Sequence, residues 1–304
     1  MKIIVDAFGG DNAPLEVISG AAIAAAEFGV TIILTGHEDI IKKTAKNNNI
    51  DIEGANIEIV HAPSVIDVEE SPQNILKEKS DCSMAVGLKL LSQGGGDAFL
   101  SAGSTGALVV GATFITKRLR GIKRAALSPI MPSQNKPFML TDAGANLDCR
   151  PEMLVQFVIM GSCYMKKIMN IKSPKVGLLN VGSEDSKGRE LEIAAYKQFK
   201  NAPFEFYGNI EARDLPKGVC DVVVTDGFTG NIALKLYEGM GSLFSHTLKD
   251  MFAGTRGALA AIGIMPKIKA FKQRMNTTDI GGAMLLGISQ PVIKAHGNSK
   301  ETEF

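Results

Sequence analysis

The sequence of 304 residues contains no tryptophan and only 6% aromatic residues, so stacking platforms for nucleic-acid bases are not expected. Neither sign of charge dominates, because 33 Lys and Arg stand against 32 Asp and Glu, which argues against non-specific binding of nucleic acid. No apolar run approaches the roughly 18 residues that a membrane-spanning helix needs. With 45% hydrophobic and 21% charged residues, the composition predicts a folded globular protein rather than a disordered one.

The cysteines and histidines of the chain form none of the patterns that bind metals. No CxxC pair occurs among Cys82, Cys149, Cys163 and Cys220, and there is no HExxH sequence. The chain starts with MKIIVDAFGGD, which has the pattern of a buried strand and not of a secretory leader. We therefore predict a cytoplasmic protein with reduced, structural cysteines and without a metal site.

Short β-branched runs alternate with amphipathic stretches through most of the sequence. The predicted strands are Lys2–Val5, Thr31–Thr35, Ile57–Ala62, Ala98–Leu100, Phe138–Thr141, Val176–Asn180, Glu205–Tyr207 and Val222–Thr225. The predicted helices are Ala13–Phe28, Asp39–Asn47, Asn74–Gln93, Thr105–Arg118, Glu152–Lys167, Arg189–Lys200 and Gly230–Met251. This alternation predicts an α/β fold of three layers, αβα, with a mainly parallel sheet covered on both faces. We expect a single domain over residues 1–304, and this domain could consist of two lobes.

Six small, polar loops that contain glycine follow predicted strands. They are Asp6–Asp11, Ser101–Ala107, Asp142–Asn146, Asn180–Glu184, Gly208–Asp214 and Thr225–Asn231. In open α/β sheets, ligands bind beyond the carboxyl ends of the strands, and the N-terminus of a following helix favours an anion. One such loop is typical of a tight turn, but six together predict an anion-binding crevice at one rim of the sheet.

None of these loops carries a nucleotide-binding or hydrolase motif. GxxxxGK[ST] is absent, GxGxxG does not follow the first strand, and residues 103–106 lack the GxSxG spacing of a nucleophile elbow. The anion is therefore expected to be smaller than a nucleotide, with phosphate as the obvious candidate, and no cofactor is expected.

Six sequence motifs occur in an order that is typical of one family. They are DAFGGDNAP, SAGSTGA, DAGAN, GNIEARD, DVVVTDGFTGN and VIKAHG. With these motifs, the whole chain resembles the PlsX-type phosphate acyltransferases, the bacterial acyl-acyl-carrier-protein:phosphate acyltransferases of phospholipid synthesis. The resemblance implies that inorganic phosphate and an acyl carrier protein thioester give an acyl phosphate and the free carrier thiol. It also implies a fold similar to the isocitrate/isopropylmalate dehydrogenases and phosphotransacetylases, a homodimer, and peripheral contact with an anionic membrane.

The glycine loops contain the candidate ligands of phosphate and thioester. We predict that these are Gly9, Gly10, Asp11, Gly103, Ser104, Thr105, Asn146, Asn180 and Asp226. The backbone N–H groups near Gly103–Thr105 and the two hydroxyls there are the first choice for a phosphate cradle. Structural alternatives stay open: the hydroxyls cap a helix, Asp11 or Asn12 caps the first helix, the asparagines close turns, and Asp226 orients a cationic partner.

Direct attack by phosphate on a thioester requires no enzyme nucleophile, and no Ser–His–Asp or Cys–His set is recognisable. The residues that we select for catalysis are Lys187, Lys294, His296 and Asn231. Lys187 stands near a predicted helix start, where a cation is unfavourable unless an anion is near. Lys294 and His296 are two residues apart, so an extended segment places them on one side, where His296 could protonate the departing sulfur.

Two surfaces are candidates for contacts with larger partners. A basic cluster suited to the acidic acyl carrier protein consists of Lys117, Arg118, Arg120, Lys123 and Arg124. The alternative for this cluster is a solvated helix end whose cations complement the dipole. Residues 251–275 combine apolar and basic side chains and predict a tip that meets anionic lipid, with a dimer contact as the alternative.

The leading hypothesis is therefore an acyltransferase that uses the carrier-protein thioester. The alternative within the same fold group is a phosphotransacetylase-like enzyme that uses acyl-coenzyme A. A third hypothesis, from a different class, is a non-catalytic scaffold that binds phosphate or carrier protein at the membrane.

Overall fold

The computed structural model describes residues 1–54, 56–252, 266 and 282–303. The chain divides into two compact units, Met1–Leu127 with Gly281–Phe304, and Ser128–Ile280. Each unit contains a mainly parallel sheet, so the predicted α/β class is confirmed. The strands belong to two sheets, of seven and five strands, where the sequence predicted one.

The described residues form twelve strands and seven α-helices. The strands are β1 (Lys2–Asp6), β2 (Thr31–Gly36), β3 (Ile57–His61), β4 (Ala98–Ser101), β5 (Ala126–Ser128), β6 (Ile130–Met131), β7 (Phe138–Thr141), β8 (Lys175–Leu179), β9 (Glu205–Ile210), β10 (Val222–Val224), β11 (Ala283–Leu286) and β12 (Val292–Lys294). The helices are α1 (Leu15–Phe28), α2 (Glu38–Asn47), α3 (Ser83–Ser92), α4 (Thr105–Gly111), α5 (Pro151–Lys167), α6 (Glu190–Lys200) and α7 (Gly227–Met251). A π-helical turn, Ala112–Lys117, continues α4.

The sheet of the first unit has the order β3-β2-β1-β4-β12-β11-β5. Strand β1 pairs in parallel with β2 and β4, β12 pairs in parallel with β4, and β11 runs antiparallel to β12. Because parallel neighbours end at the same edge, the segments that follow β1, β4 and β12 lie side by side at that edge.

Helices cover both faces of the first sheet. On one face, Val5 and Leu100 join Val17 of α1 in an apolar cluster. Side chains alternate between the two faces along a strand, so Phe99, which precedes Leu100 in β4, lies on the opposite face. There Gly87 of α3 lies so close that an added Cβ would be 2.2 Å from the Phe99 ring. The apolar core of this unit therefore has two layers, one on each side of the sheet.

The sheet of the second unit has the order β6-β7-β10-β8-β9, and only β6 is antiparallel to its neighbour. On one face, Gly161 of α5 lies against Val222, to which an added Cβ would come within 2.9 Å. On the other face, Leu234 and Tyr237 of α7 pack on a buried cluster that contains Phe138. The predicted coverage of the sheet by helices on both faces is thus present in this unit as well.

The predicted helix Asn74–Gln93 is wrong in its first half. The chain forms a 3-10 helix over Pro72–Leu76 and then turns, and α3 begins only after Cys82, whose sulfur accepts a capping hydrogen bond. The intervening stretch is polar, and its Lys79 ammonium donates to a distant backbone carbonyl at 2.7 Å. Long-range contacts therefore outweigh the helical preference of this stretch.

Four short strands, β5, β6, β11 and β12, were not predicted. Each has two to four residues, which is too short for a recognisable alternation of apolar and polar residues. Gly208 lies inside β9, so the predicted Gly208–Asp214 loop begins later, at Glu211.

Most of the predicted tip at residues 251–275 lies outside the described residues, which include only Met251, Phe252 and Pro266 of that range. The tip therefore stays a prediction. No helix among the described residues combines the length and the apolar character needed to span a membrane.

Candidate functional site

Asp6, the last residue of β1, is the centre of a buried hydrogen-bond network. The Ser101 hydroxyl donates to Asp6 Oδ2 at 2.7 Å, and the Gly103 amide donates to Ser101 Oγ at 3.0 Å. The Phe8 amide donates to Asp6 Oδ1 at 3.3 Å. Burial raises the pKa of Asp6, and hydrogen bonds from Ser83, Ser101 and the Phe8 amide oppose that rise.

Asp6 and Ser101 were not among the predicted site residues. Both side chains are fully or almost fully buried, with exposures of 2% and 0%. Each is a polar residue at the last position of a strand and follows three apolar residues, Ile3–Val5 in β1 and Ala98–Leu100 in β4. Because a buried polar group requires a partner, this position was the signal that could have identified them.

Gly9 and Gly10 allow the loops after β1 and β4 to touch. A Cβ added to Gly9 would lie 2.7 Å from three atoms of the Asp6 network, among them the Gly103 nitrogen. Gly10 has a φ of +105°, and its Cβ would lie 2.9 Å from Ala102 Cβ. The structure thus brings the predicted ligands Gly9, Gly10 and Gly103 together.

Asp11 is tied to the segment after β12, because its amide donates to the Gly297 carbonyl at 2.7 Å. The N-cap of α1 is Pro14, and no side chain caps the helix. The alternative in which Asp11 or Asn12 caps α1 is therefore wrong. The Asn12 side chain instead donates at 3.2 Å to the carbonyls of Asn298 and the following residue.

Ser104 is the N-cap of α4, and its hydroxyl accepts a hydrogen bond from the Ala107 amide at 3.4 Å. The capping alternative is thus present in the structure. The Gly103 amide already donates to Ser101 Oγ in its own loop. The phosphate cradle that was predicted at Gly103–Thr105 is therefore reduced to Ser104 and Thr105, and it stays a prediction.

Lys294 and His296 follow β12 at the same edge. The Ala295 amide donates to the Ser101 carbonyl at 3.0 Å, which extends the pairing with β4 beyond Lys294. The Lys294 ammonium donates to the Ala102 carbonyl at 3.0 Å and also to the Ala295 carbonyl. His296 is exposed. Both predicted catalytic residues of this unit therefore lie beside the glycine loops.

In the second unit, Asp142 organises the loop after β7. Its Oδ1 accepts from the amides of Gly144 at 3.2 Å and Ala145 at 3.0 Å. Its Oδ2 accepts from the backbone and side-chain nitrogens of Asn146, at 2.7 and 2.8 Å. A Cβ added to Gly144 would lie 3.6 Å from Asn231 Cγ, so the predicted residues Asn146 and Asn231 lie on the same loop cluster.

Asp226 caps α7 and binds a cation. Its Oδ1 accepts from the Thr229 amide at 2.7 Å, and its Oδ2 accepts from the Arg189 guanidinium. Arg189 also donates to Glu192 Oε1 and Oε2, with Nε distances of 3.2 Å. The Glu192 carboxylate, followed by that of Asp226, raises the pKa of Arg189. The contact with Arg189, which was not among the predicted site residues, agrees with the alternative that Asp226 orients a cationic partner.

Asn180 holds the segment between β8 and α6. Its side-chain oxygen accepts from the Val181 amide at 2.8 Å, and its side-chain nitrogen donates to the Lys187 carbonyl at 3.0 Å. Gly188 has a φ of +98° and packs on the Asn180 amide group. The Lys187 side chain is exposed, three residues before α6 begins. Asn180 thus closes a turn, as its structural alternative proposed.

The edges of the two sheets each collect a group of the predicted residues. The first unit brings together Gly9, Gly10, Asp11, Gly103, Ser104, Thr105, Lys294 and His296. The second unit collects Asn146, Asn180, Lys187, Asp226 and Asn231 at the ends of its parallel strands. The prediction that all six loops form one crevice spans both units and stays a prediction.

The five cations of the basic cluster are all exposed: Lys117, Arg118, Arg120, Lys123 and Arg124. Two apolar side chains lie in the same stretch, Phe114 with 63% and Leu119 with 49% exposure. Lys117 ends the π-helical turn, in agreement with the helix-end alternative. A surface with both cations and apolar groups also suits an acidic partner, so the docking role stays a prediction.

The cysteines are free thiols, which agrees with the predicted reduced state. Burial raises the pKa of Cys82 to about 11 and that of Cys220 to about 12, so neither thiol is ionised at neutral pH. Among the described residues, no three or more His, Cys, Asp and Glu side chains form a group that could hold a metal.

Over residues 1–304, the chain matches the model of the family described as fatty acid synthesis protein. A protein named phosphate acyltransferase from Clostridium botulinum (strain ATCC 19397 / Type A) is 45% identical to it, over 100% of this chain and 91% of the relative. A second one, from Caldanaerobacter subterraneus subsp. tengcongensis, is also 45% identical, over 99% of this chain and 89% of the relative.

Two solved structures with this fold are far more distant in sequence. A phosphotransacetylase from Streptococcus pyogenes has a TM-score of 0.67 and 17% identity, over 100% of this chain and 90% of the neighbour. A 4-hydroxythreonine-4-phosphate dehydrogenase from Burkholderia phymatum has a TM-score of 0.51 and 12% identity, over 99% of this chain and 94% of the neighbour. At such identities the likeness concerns the fold alone.

Proposed function

The chain belongs to the fatty acid synthesis protein family, and from this membership we propose that it is a phosphate acyltransferase. It moves a fatty acyl group from the thioester of acyl carrier protein to inorganic phosphate and so supplies acyl phosphate for phospholipid synthesis. The observation that carries the proposal is 45% identity over the whole chain to proteins named phosphate acyltransferase.

In the reaction, a phosphate oxygen attacks the thioester carbonyl and forms a C–O bond. The C–S bond then breaks, and the carrier sulfur leaves as the thiol, with a net transfer to it of the proton that phosphate loses. The protonated thiols of Cys82 and Cys220 fit direct transfer without a cysteine nucleophile. Positioning of two bound reactants can lower a barrier by about 7–11 kcal/mol at best.

We assign phosphate binding in the first unit to the Ser104 and Thr105 segment, beside Gly9, Gly10 and Asp11. Lys294, the last residue of β12, contacts the same loop through the Ala102 carbonyl, and its charge attracts phosphate. The exposed His296 protonates the departing sulfur.

In the second unit, the assigned donors to the developing oxyanion are the side chains of Asn146 and Asn231. Removal of one such donor commonly costs about 3–4 kcal/mol of transition-state stabilisation. Lys187, in the segment held by Asn180 and two residues before Arg189, attracts the negative charge of the reactants.

Incubation of the purified chain with phosphate and palmitoyl carrier protein tests the function. We expect release of the free carrier thiol together with a hydroxylamine-reactive acyl phosphate, at a rate proportional to enzyme. Acetyl-coenzyme A serves as the second substrate, because the phosphotransacetylase fold neighbours favour it as the alternative donor. Exclusive acetyl transfer would establish that alternative, and no transfer from either donor would favour the scaffold hypothesis.

The basic cluster is the proposed docking surface for acyl carrier protein. Reversal of two cations, Arg120→Glu with Arg124→Glu, should raise the KM for the acyl carrier protein about tenfold at low ionic strength and less at high salt. The matched control, Lys43→Glu with Lys46→Glu, changes two exposed cations of α2 in the same unit. Equal effects of the two pairs would assign the result to net charge and remove the docking role.

An exposed apolar ridge on α7 supports the proposed homodimer. Its side chains recur at intervals of four, with exposures of 55% for Phe228, 56% for Ile232, 64% for Leu236 and 41% for Met240. Such a ridge packs on its own copy across a two-fold axis. Leu236→Asp should halve the mass measured by light scattering, whereas Ser242→Asp, an exposed position about 120° from Leu236 around the same helix, should leave it unchanged. An unchanged mass for both variants would place the dimer contact elsewhere.

Peripheral membrane contact of residues 251–275 is the remaining proposal, supported by their mixture of apolar and basic residues. Ile262→Asp with Ile264→Asp should weaken co-sedimentation with anionic vesicles while activity on soluble substrate persists. Unchanged co-sedimentation would remove the tip from the proposal.

A further inference from the structure

We propose that Ser101 is a positioning residue for phosphate, which acts through the peptide group between Ala102 and Gly103 and depends on Asp6 as its acceptor. The inference rests on the proposed function and extends it to a residue pair outside the predicted phosphate ligands. Neither side chain needs to touch phosphate for this role.

The peptide group between Ala102 and Gly103 is held at both of its polar atoms. Its carbonyl oxygen accepts from the Lys294 ammonium at 3.0 Å, and its N–H donates to Ser101 Oγ at 3.0 Å. A peptide unit is planar, so two opposed hydrogen bonds determine its orientation. The next residues in the chain are Ser104 and Thr105, and their direction is therefore set by this peptide.

The Ser101 hydroxyl connects this peptide to the loop after β1. It accepts from Gly103 and donates to Asp6 Oδ2 at 2.7 Å, and the other Asp6 oxygen accepts from the Phe8 amide at 3.3 Å. The Cα of Gly9 lies directly over this chain of bonds, because an added Cβ would contact Asp6, Ser101 and Gly103 at 2.7 Å each. The spacing between the two glycine loops is thus set by one hydroxyl.

Packing alone does not account for these residue types. Ser101 follows Ala98, Phe99 and Leu100 in β4 and is fully buried, as is almost all of Asp6. Burial of a carboxylate and a hydroxyl costs free energy that an apolar pair would avoid. The hydrogen bonds that offset this cost all end in the two glycine loops or at the start of α3, where Ser83 also bonds to Asp6. The polar pair therefore serves the geometry of that edge.

The test compares Ser101→Ala, Asp6→Asn and the double variant with wild type. Each single change should raise the KM for phosphate about tenfold or more, the range expected for loss of one hydrogen bond to a charged group. The KM for acyl carrier protein should stay within about twofold. Because both residues act through one path, the double variant should lose no more than the worse single variant.

Asp6→Asn is informative because the new amide cannot accept at both positions. If its nitrogen replaces Oδ2, the Ser101 hydroxyl loses its acceptor. If Ser101→Ala fails to fold, Asp6→Asn still tests the proposal. The matched control is Ser92→Ala on α3, which removes an exposed hydroxyl whose bond, to the Lys89 carbonyl, is local.

If the role of these residues is purely structural, the variants should have a lower melting temperature and a proportionally lower active fraction, with an unchanged KM for phosphate. That result would overturn the proposal. Additive losses in the double variant would also overturn it. If the wild-type chain forms no acyl phosphate, the proposed function fails by itself. Phosphate binding measured by calorimetry then still compares wild type with Ser101→Ala, and equal affinities would reject the positioning role.

Discussion

In each unit a buried aspartate at a strand end organises the neighbouring loops, but the two aspartates have different hydrogen-bond partners. In the first unit, Asp6 accepts from groups on β4 and α3 as well as on its own loop, so its network depends on contacts between distant segments. In the second unit, the Asp142 carboxylate accepts from Gly144, Ala145 and Asn146 of its own loop, and the Asp142 amide donates to the Thr225 carbonyl at 3.1 Å. A buried carboxylate at a strand end can therefore organise either one loop or the contact between several.

Glycine has the same task in both units, which is the close approach of two backbones. Gly9 lies over the Gly103 nitrogen in the first unit, and Gly230 lies over the Asp142 carbonyl in the second. A side chain at either position would occupy space already taken by backbone atoms. The comparison teaches that these glycines are needed for contact between segments and not only for a turn.

The largest expected effect is that of Gly230→Ala, because its Cβ would lie 1.8 Å from the Asp142 carbonyl oxygen. The backbone must move, and we expect the free energy of unfolding to fall by about 3 kcal/mol. Gly239→Ala is the matched control on the same helix, where nothing lies within 4 Å of the new Cβ. It should stabilise the protein by roughly 0.5–1 kcal/mol. Urea unfolding of the two variants measures the contrast, and similar losses would contradict the steric account.

Asp142→Asn tests whether the second loop depends on its local carboxylate. The amide cannot accept at both positions, and each Asp142 oxygen accepts from two nitrogens, so a loss of about 2 kcal/mol is expected in either orientation. Asp51→Asn is the control, because this exposed residue accepts from Glu53 and Gly54 only through Oδ1, which asparagine retains. If both variants were equally stable, the carboxylate would not be the organising group.

The smallest expected effect concerns the pH dependence of the first network. Burial raises the pKa of Asp6 above its ordinary value of 3.8, so the folded chain binds this proton more tightly than the unfolded chain. The contribution of Asp6 to stability therefore increases as pH falls through its folded pKa toward 3.8.

The measurement is the difference in unfolding free energy between wild type and Asp6→Asn at neutral and at mildly acidic pH. On acidification, the unfolding free energy of wild type should rise relative to that of Asp6→Asn, because asparagine does not titrate. A difference that is constant with pH would contradict the raised pKa. The corresponding comparison with Asp185→Asn should shift in the opposite sense, and only as pH falls below the ordinary value of 3.8, since the Tyr196 hydroxyl and Lys200 lower the pKa of this exposed carboxylate.

Regular elements with clear apolar periodicity were predictable. Helix α5 was expected at Glu152–Lys167 and begins one residue earlier, and β7 was predicted with its observed bounds. The break at residues 77–82 was not predictable, because a distant carbonyl binds Lys79 and local preference carries no sign of it. For Asn180, the sequence left two roles open, a ligand or a residue that closes a turn. Its hydrogen bonds with Val181 and Lys187 show that it closes a turn.

The amino-acid sequence by itself determined the α/β class, the family and the candidate loops, because these depend on periodicity and on ordered motifs that are local in the chain. Only the tertiary structure decided that the strands form two sheets, that Arg189 is the partner of Asp226, and that Asp6 and Ser101 join two loops. These facts depend on contacts between residues 37 to 95 positions apart. Such contacts form only when the chain buries its apolar faces, and no local pattern encodes them.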